Sequence, residues 1–256
     1  YFNIPMKNFH SLPLPLHDQI QLRHLNKEHL SELKQLCSEC FPIQYPDSWY
    51  EEVINQQKFY GIAAIIEKKL VGVIVAEIKD LSRCCAEDRD ILSYWCSSQT
   101  KVALILILGT SKDCRRKGIG TLLLTTFVQH VQQEKHSSCK VVYLHVLASN
   151  INAILFYEQL NFKRHKLLLN YYSIRGEKMD GFSYVYYTNN GNPPLTFKDM
   201  KTKMTEYLSH FVCCRFSRCL LSAMKYLSSY HFSNPHFKKK FFNNSLKFGF
   251  YIFFSN

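Results

Sequence analysis

The stretch Gly109-Thr-Ser-Lys-Asp-Cys-Arg-Arg-Lys-Gly-Ile-Gly-Thr-Leu-Leu-Leu124 constrains this chain more than any other. Ahead of it, Val102 to Leu108 is an apolar run rich in branched residues, the pattern of a buried strand. Behind it, Leu122, Leu123, Leu124, Phe127, Val128 and Val131 recur at helical spacing and predict a helix ending near Glu134. Between the two, Arg115, Gly118 and Gly120 predict a turn with unblocked backbone N–H groups at a helix start. Glycine lets the backbone approach a ligand, and the helix N-terminus and basic side chains favour an anion there. A diphosphate suits such a loop. It is not a P-loop, because the Gly-Lys-Ser/Thr that supplies a lysine and a magnesium-binding hydroxyl is missing. A Rossmann fingerprint needs one more glycine at the right spacing.

The flanking sequence alternates strands and helices. Ile20 to Leu25 reads as a short strand. Lys27 to Cys40 reads as an amphipathic helix with Leu30, Leu33, Leu36 and Cys40 on one face. Phe41-Pro-Ile-Gln-Tyr-Pro-Asp-Ser-Trp-Tyr50 breaks it as a stiff loop, after which Asp47 can cap a helix through Ile54. Phe59 to Glu67 and Leu70 to Ile78 form a hairpin about Lys68-Lys69, and Lys79 to Gln99 reads as a long surface loop. Lys140 to Leu147 is a second buried strand, with His145 among apolar neighbours near its end. A helix follows from Asn150. The last strands, Lys163 to Leu169 and Phe182 to Thr188, are separated by a loop over Asn170-Tyr-Tyr-Ser-Ile-Arg-Gly176. The order β-α-α-β-β-β-α-β-α-β-β predicts an α/β fold with a mixed, mostly antiparallel sheet.

Two motifs carry a family resemblance. Arg115, Gly118 and Gly120 fit Arg-x-x-Gly-x-Gly, the pyrophosphate loop of the GNAT acetyltransferases. Asn150-Ile-Asn-Ala-Ile-Leu-Phe-Tyr-Glu-Gln-Leu-Asn-Phe162 resembles that family's second signature, Asn-x-x-Ala-x-x-Phe-Tyr-Glu-x-x-Gly-Phe. Asn161 stands where glycine is usual, and asparagine also accepts a left-handed C-cap. The resemblance implies the GNAT fold, a twisted mixed sheet with flanking helices whose central strands splay around acetyl-CoA. It implies that Leu108, Gly109 and Thr110 face the pantetheine and that Arg115, Arg116, Lys117, Gly118, Ile119, Gly120 and Thr121 line the pyrophosphate. Asn150 and Tyr157 would approach the thioester.

The chemistry asks for a base. An amine must be neutral to attack a thioester, and an α-amine, with a pKa of about 8 against about 10.4 for lysine, gives up its proton more readily. His145 is the candidate base, directly or through water, and the Tyr157 hydroxyl can protonate the departing thiolate. Backbone N–H groups at the splay can hold the oxyanion.

A narrower resemblance rests on Phe41 to Tyr50, Tyr143-Leu-His-Val-Leu147 and Tyr171-Tyr-Ser-Ile-Arg-Gly176. These look like the Golgi-associated N-terminal acetyltransferases, a branch of the same family. That likeness implies acetylation of methionine-starting, cytosol-facing ends of membrane proteins. Phe41, Tyr45, Leu106 and Tyr172 would hold the first residues of the peptide, and the loop at Tyr171 and Tyr172 would cover the groove. Two positions depart from the branch. Leu104 replaces a strand tyrosine that partners the histidine in proton relay, and Gln44 replaces a loop glutamate. The competing readings are a lysine (histone) acetyltransferase and a catalytically impaired acetyl-CoA-binding homologue.

Composition separates the ends from the middle. The chain of 256 residues carries a net charge of +12. From Phe197 on, ten Lys or Arg face only Asp199 and Glu206, so this tail holds +8 and the rest only +4. The expected organisation is an N-terminal extension over 1–17, an acetyltransferase domain over 18–192 and a basic amphipathic tail over 193–256. In the tail, Phe197, Met200, Met204, Tyr207, Leu208 and Phe211 fall at helical spacing, and Leu220, Leu221, Met224 and Leu227 suggest a second helix. Such a tail is expected to lie on an anionic membrane surface, with the Golgi implied by the resemblance and no nucleic-acid partner. A homodimer is left open, and Cys213, Cys214 and Cys219 are candidates for palmitoylation. The other cysteines read as free thiols; Cys37 and Cys40 lack a second pair or nearby histidines for zinc, and no metal is expected. The chain starts at Tyr1 rather than methionine, which suggests a fragment, and no signal peptide is visible.

Overall fold

A computed structural model describes residues 20–55, 58–93, 96, 97 and 99–194. The expectations for the N-terminal extension and for the tail, its helices and its cysteines lie outside these residues. Seven strands form one sheet in the order β1-β2-β3-β4-β5-β7-β6. They are β1 (Gln21–His24), β2 (Phe59–Ile66), β3 (Lys69–Asp80), β4 (Lys101–Thr110), β5 (Cys139–Leu147), β6 (Lys163–Ile174) and β7 (Glu177–Tyr187). Every neighbouring pair is antiparallel except β4 and β5. The helices are α1 (Leu30–Cys40), α2 (Asp47–Asn55), α3 (Ile119–Gln132) and α4 (Ile151–Gln159). This is the mixed α/β sheet with flanking helices that the element order predicts.

Each face of the sheet has its own apolar cluster. On one, Leu33, Leu36 and Cys37 of α1 and Trp49, Tyr50 and Val53 of α2 pack with Val73, Val75, Leu104, Leu106, Val141 and Tyr143. On the other, Leu123, Leu124, Phe127 and Val131 of α3 and Ala153 and Tyr157 of α4 meet Ile74, Ala103, Ile105, Val142 and Leu144. Burying one such Leu or Phe side chain contributes roughly 1.5–3 kcal/mol. Alternation along the strands assigns the residues to the faces, which is why a continuously apolar run such as Val102–Leu108 reads as a strand buried on both sides.

Local chemistry fixes the helix ends. Before α1, Asn26 accepts from the Glu28 N–H at 3.1 Å while the His29 Nδ1 accepts from the Asn26 N–H at 3.2 Å. This reciprocal cap turns residues 27–29 into a tight turn, so the α-helix proper starts at Leu30 rather than Lys27. At the end of the second signature, Asn161 has φ of 64°, the left-handed conformation that its replacement of glycine calls for.

Two expectations are corrected. The segment 79–99 is not simply a surface loop, since Cys84, Asp88, Ile91 and Leu92 are all buried. Ile91 and Leu92 are apolar and draw the segment down onto the sheet. The region 170–176 is not an open loop either. β6 continues to Ile174 and turns at Arg175 and Gly176, both with positive φ, directly into β7. Tyr171 and Tyr172 therefore stand on a strand, paired with β7 from Tyr172 onward. Among the described residues all seven cysteines are free, and burial pushes the Cys37 and Cys139 thiols up to about 12. No described helix is long and apolar enough to cross a membrane.

The left-handed position at Asn161 gives a stability test. Asn161→Gly should leave the protein at least as stable, whereas Asn161→Ala should cost about 1–2 kcal/mol, read from denaturant unfolding.

Candidate active site

The site begins where two strands part. β4 and β5 pair in parallel only from Lys101 with Cys139 to Leu104 with Tyr143, yet β4 runs on to Thr110 and β5 to Leu147. The cause lies on the other side of β4. There Val75 pairs with Ile107 and Ala76 with Ile105, so Leu106 is an extra residue in a β-bulge. A bulge bends its strand and sharpens the twist, turning β4 away from β5. The side chains record the slip, because Leu104, Leu106 and Ile107 belong to one apolar cluster and Ile105 and Leu108 to the other. Beyond Leu104 the β5-facing backbone of β4 is open to pair with an extended chain of amides, which fits a pantetheine.

The basic loop follows directly. Arg115 Nε donates to the Thr110 carbonyl at 3.4 Å, folding the loop back over the end of β4. Arg116 (φ 59°) and Gly118 (φ 82°) take left-handed turns that bring the chain to the first turn of α3. Gly118 precedes Ile119, Gly120 and Thr121, whose N–H groups head the helix. Arg116 and Lys117 are exposed at this end. Oriented N–H groups, a helix start and nearby cations suit a pyrophosphate. Gly109 serves a different purpose: a Cβ there would lie 3.0 Å from the Phe41 ring. With Cys40 Sγ donating to the Thr110 carbonyl at 3.3 Å, this close approach holds the start of the 41–46 loop against the end of β4.

His145 lies on β5 beyond the parting and is 2% exposed. Its Nε2 is 2.8 Å from Asp88 Oδ1, and Asp88 is equally buried. Its Nδ1 is 3.0 Å from the Tyr171 hydroxyl. A carboxylate only accepts, so Nε2 donates to Asp88; the neutral ring then has its lone pair on Nδ1, which accepts from Tyr171. Tyr143, one turn of the pleat away, holds its hydroxyl 3.7 Å from Cys84 Sγ. Burial, and then the nearby Asp88 carboxylate, push its phenol well above the usual tyrosine range, so it keeps its proton. Burial likewise raises the Cys84 thiol.

The residues singled out from sequence fall into three groups. Phe41, Tyr45, Leu106, Tyr171 and Tyr172 gather in the cluster on the Tyr143 side. Tyr45 stacks on Trp49 with centroids 4.5 Å apart, and Tyr171 meets Tyr172 edge-on at 5.1 Å. Leu106 and Tyr172 are wholly buried and form the wall behind the half-buried Tyr45 and Tyr171. Leu104 sits beside Tyr143 in the same cluster, with no polar atom to offer. Leu108, Gly109, Thr110 and residues 115–121 line the parting and its basic loop. Asn150 caps α4 by accepting from the Ala153 N–H at 3.2 Å. Tyr157 lies on the opposite face of the sheet from Tyr143, fully buried, and burial raises its phenol well above the usual range.

Asp88 escaped the sequence reading. Its only signal was the apolar pair Ile91-Leu92 three residues on, which marks where the polar segment dips into the core. Asp90 pins the same segment from outside, with Oδ1 2.8 Å from Lys166 Nζ and 3.1 Å from His165 Nε2 on β6. These partners hold the Asp90 carboxyl below the usual range against the opposing effect of burial. Among the described residues no group of His, Cys, Asp or Glu is arranged to hold a metal.

A sheet parted at a bulge, with a basic loop at one end and a buried histidine–carboxylate pair beside it, defines an acyltransferase of the GNAT kind. Residues 30–162 match the Acetyltransferase (GNAT) family, and the chain belongs to it. It is 44% identical over 202 residues to N-alpha-acetyltransferase 60 of Xenopus tropicalis, covering 79% of this chain and 83% of that protein. The Danio rerio protein of the same name is 46% identical over 188 residues, with 73% and 78% covered. Among solved structures, Arabidopsis thaliana NAA60 in complex with a bisubstrate analogue superposes with a TM-score of 0.62 at 28% identity, over 68% of this chain and 99% of that one.

The Asp88 contact fixes which imidazole nitrogen carries the proton. Asp88→Asn can present an amide N–H to Nε2 and stabilise the other tautomer. It should lower kcat for acetyl transfer by about two powers of ten while leaving the thermal unfolding midpoint within a few degrees.

Proposed function

We propose that this protein transfers the acetyl group of acetyl-CoA to the N-terminal α-amine of protein chains, and that its substrates are methionine-starting, cytosol-facing ends of membrane proteins. The observation that carries the reading is His145, a base held in one tautomer by a buried carboxylate beside the parting of β4 and β5. The relatives' names and the bisubstrate analogue bound by the Arabidopsis protein support the same donor and the same kind of acceptor.

Acetyl-CoA supplies the acyl group as a thioester. The open backbone of β4 at Leu108, Gly109 and Thr110 would pair with its amides, and Arg115 to Thr121 would take its pyrophosphate. His145 accepts the amine proton. Tyr157, which burial keeps protonated, can return a proton to the departing sulfur. Backbone N–H groups at the parting can stabilise charge developing on the carbonyl oxygen. An α-amine demands less of the base than a lysine, because its pKa is about 8 against about 10.4. The aromatic wall of Phe41, Tyr45 and Tyr171 beside Leu106 suits an apolar first residue such as methionine. The basic tail, +8 by composition, suits peripheral attachment to an anionic membrane, and the resemblance to Golgi-associated relatives suggests which one.

Acetyl transfer to short peptides tests the activity. Peptides beginning Met-Leu or Met-Lys should be acetylated, peptides with blocked ends and internal lysines should not, and His145→Ala should lower kcat at least a hundredfold. Preferential transfer to the internal lysines would favour the histone acetyltransferase reading. Retained acetyl-CoA binding without transfer would mark an impaired homologue. Attachment is tested by sedimentation with vesicles. The full chain should bind vesicles rich in anionic lipid at low salt and lose binding when Lys198, Lys201 and Lys203 are replaced by Glu.

A further inference from the structure

We propose that Tyr171 is the proton relay of this site, passing the amine proton to Nδ1 of His145. The inference rests on the acetyl-transfer reading above and adds the route by which the proton leaves the amine.

Asp88 occupies Nε2 of His145, so the lone pair that can take a proton is on Nδ1. The Tyr171 hydroxyl lies 3.0 Å from that atom, with the two rings 4.8 Å apart. A proton bound for Nδ1 along this contact crosses the phenol oxygen.

A bulge in β6 brings Tyr171 there. Leu168 pairs with Gly181 and Tyr172 with Met179, so three residues of β6, 169 to 171, face the single Asp180 of β7. Asn170 takes φ of 52°, and its N–H donates to Asp180 Oδ1 at 2.8 Å. On a regular strand, Tyr171 and Tyr172 would point to opposite faces. Here both join the same cluster, because the bulge re-aims Tyr171 towards β5.

Leu104 and Leu106 on β4 carry no titratable atom. The Tyr143 hydroxyl is engaged with Cys84 and buried. Among the described groups around His145 that can exchange a proton, Asp88, Tyr143 and Ser183, its cross-strand partner on β7, are enclosed, whereas Tyr171 is half-buried.

The step balances. An N–H bond of the substrate ammonium breaks as an O–H bond forms on Tyr171, while the original Tyr171 O–H breaks and an Nδ1–H forms. This leaves a neutral amine, a neutral phenol and an imidazolium facing the Asp88 carboxylate. The amine lone pair then forms the C–N bond, and the electrons of the C–S bond leave with sulfur. The second nitrogen proton is balanced by the proton that sulfur gains, and His145 returns its own to solvent.

The test uses the full-length protein and a Met-Leu peptide. Tyr171→Phe keeps the ring and removes the hydroxyl. It should lower kcat about a hundredfold with the peptide KM within about twofold of wild type. Adding Leu104→Tyr, which places a phenol on β4 beside Tyr143, should recover about tenfold or more of the lost rate. A Tyr171→Phe variant with wild-type kcat overturns the relay, as does one whose loss lies entirely in KM, which would make Tyr171 a peptide contact. A wild type that acetylates no free N-terminus overturns the functional reading and the relay with it. The first two failures leave wild-type acetylation intact, so they cannot be mistaken for the third.

Discussion

One extra residue in β4 decides what this sheet can do. If Leu106 were not a bulge, β4 and β5 would stay paired to their ends and the sheet would be closed through its middle. The bulge trades a few interstrand hydrogen bonds, each contributing about 0.5–1.5 kcal/mol net, for an edge inside the sheet. An edge is normally a liability, since its unpaired N–H and C=O groups invite another chain. Here it opens beside the start of α3 and the basic loop, so the unpaired groups become a surface for a ligand with amides at one end and phosphates at the other. The two apolar clusters hold this opening from both faces.

The same opening sets the conditions for the chemistry. His145 and Asp88 are both nearly inaccessible to water, where an ion pair interacts more strongly than at the surface but each ion costs more to bury. A neutral imidazole beside a carboxylate becomes an imidazolium beside a carboxylate when it takes a proton. The partner for that charge is already in place, and it holds the ring in one orientation. Tyr143 beside it contributes shape and, by staying protonated, a hydrogen-bond donor.

What the sequence made legible was local. Arg115, Gly118 and Gly120 sit within a few residues of one another, and their pattern predicts a turn into a helix that the structure bears out. The signature from Asn150 to Phe162 likewise encodes one cap, one helix and one left-handed residue. What stayed hidden depends on distance along the chain. Asp88 meets His145 across 57 residues, and the apolar pair Ile91-Leu92 marks where the polar segment dips without marking which of its carboxylates is buried. The extent of β6 and β7 was hidden for a related reason. Tyr171-Tyr-Ser-Ile-Arg-Gly reads as a loop because of its turn residues, but pairing with β7 carries the strand almost to that turn. Leu104, conversely, was legible as a residue and silent as a geometry.

The order of the strands has a consequence for synthesis. β6 touches the sheet through β7, which is made after it and must insert between β5 and β6. Until β7 is in place, Tyr171 has no route to His145 on β5, although both residues have already been made. The nucleotide loop and α3 need no such wait, being contiguous with β4. A nascent chain should therefore acquire its donor-binding half first and its proton-transfer half only when the closing strand docks, a late, non-local event of the kind that slows folding. Until then, such a chain could hold a donor without an assembled base.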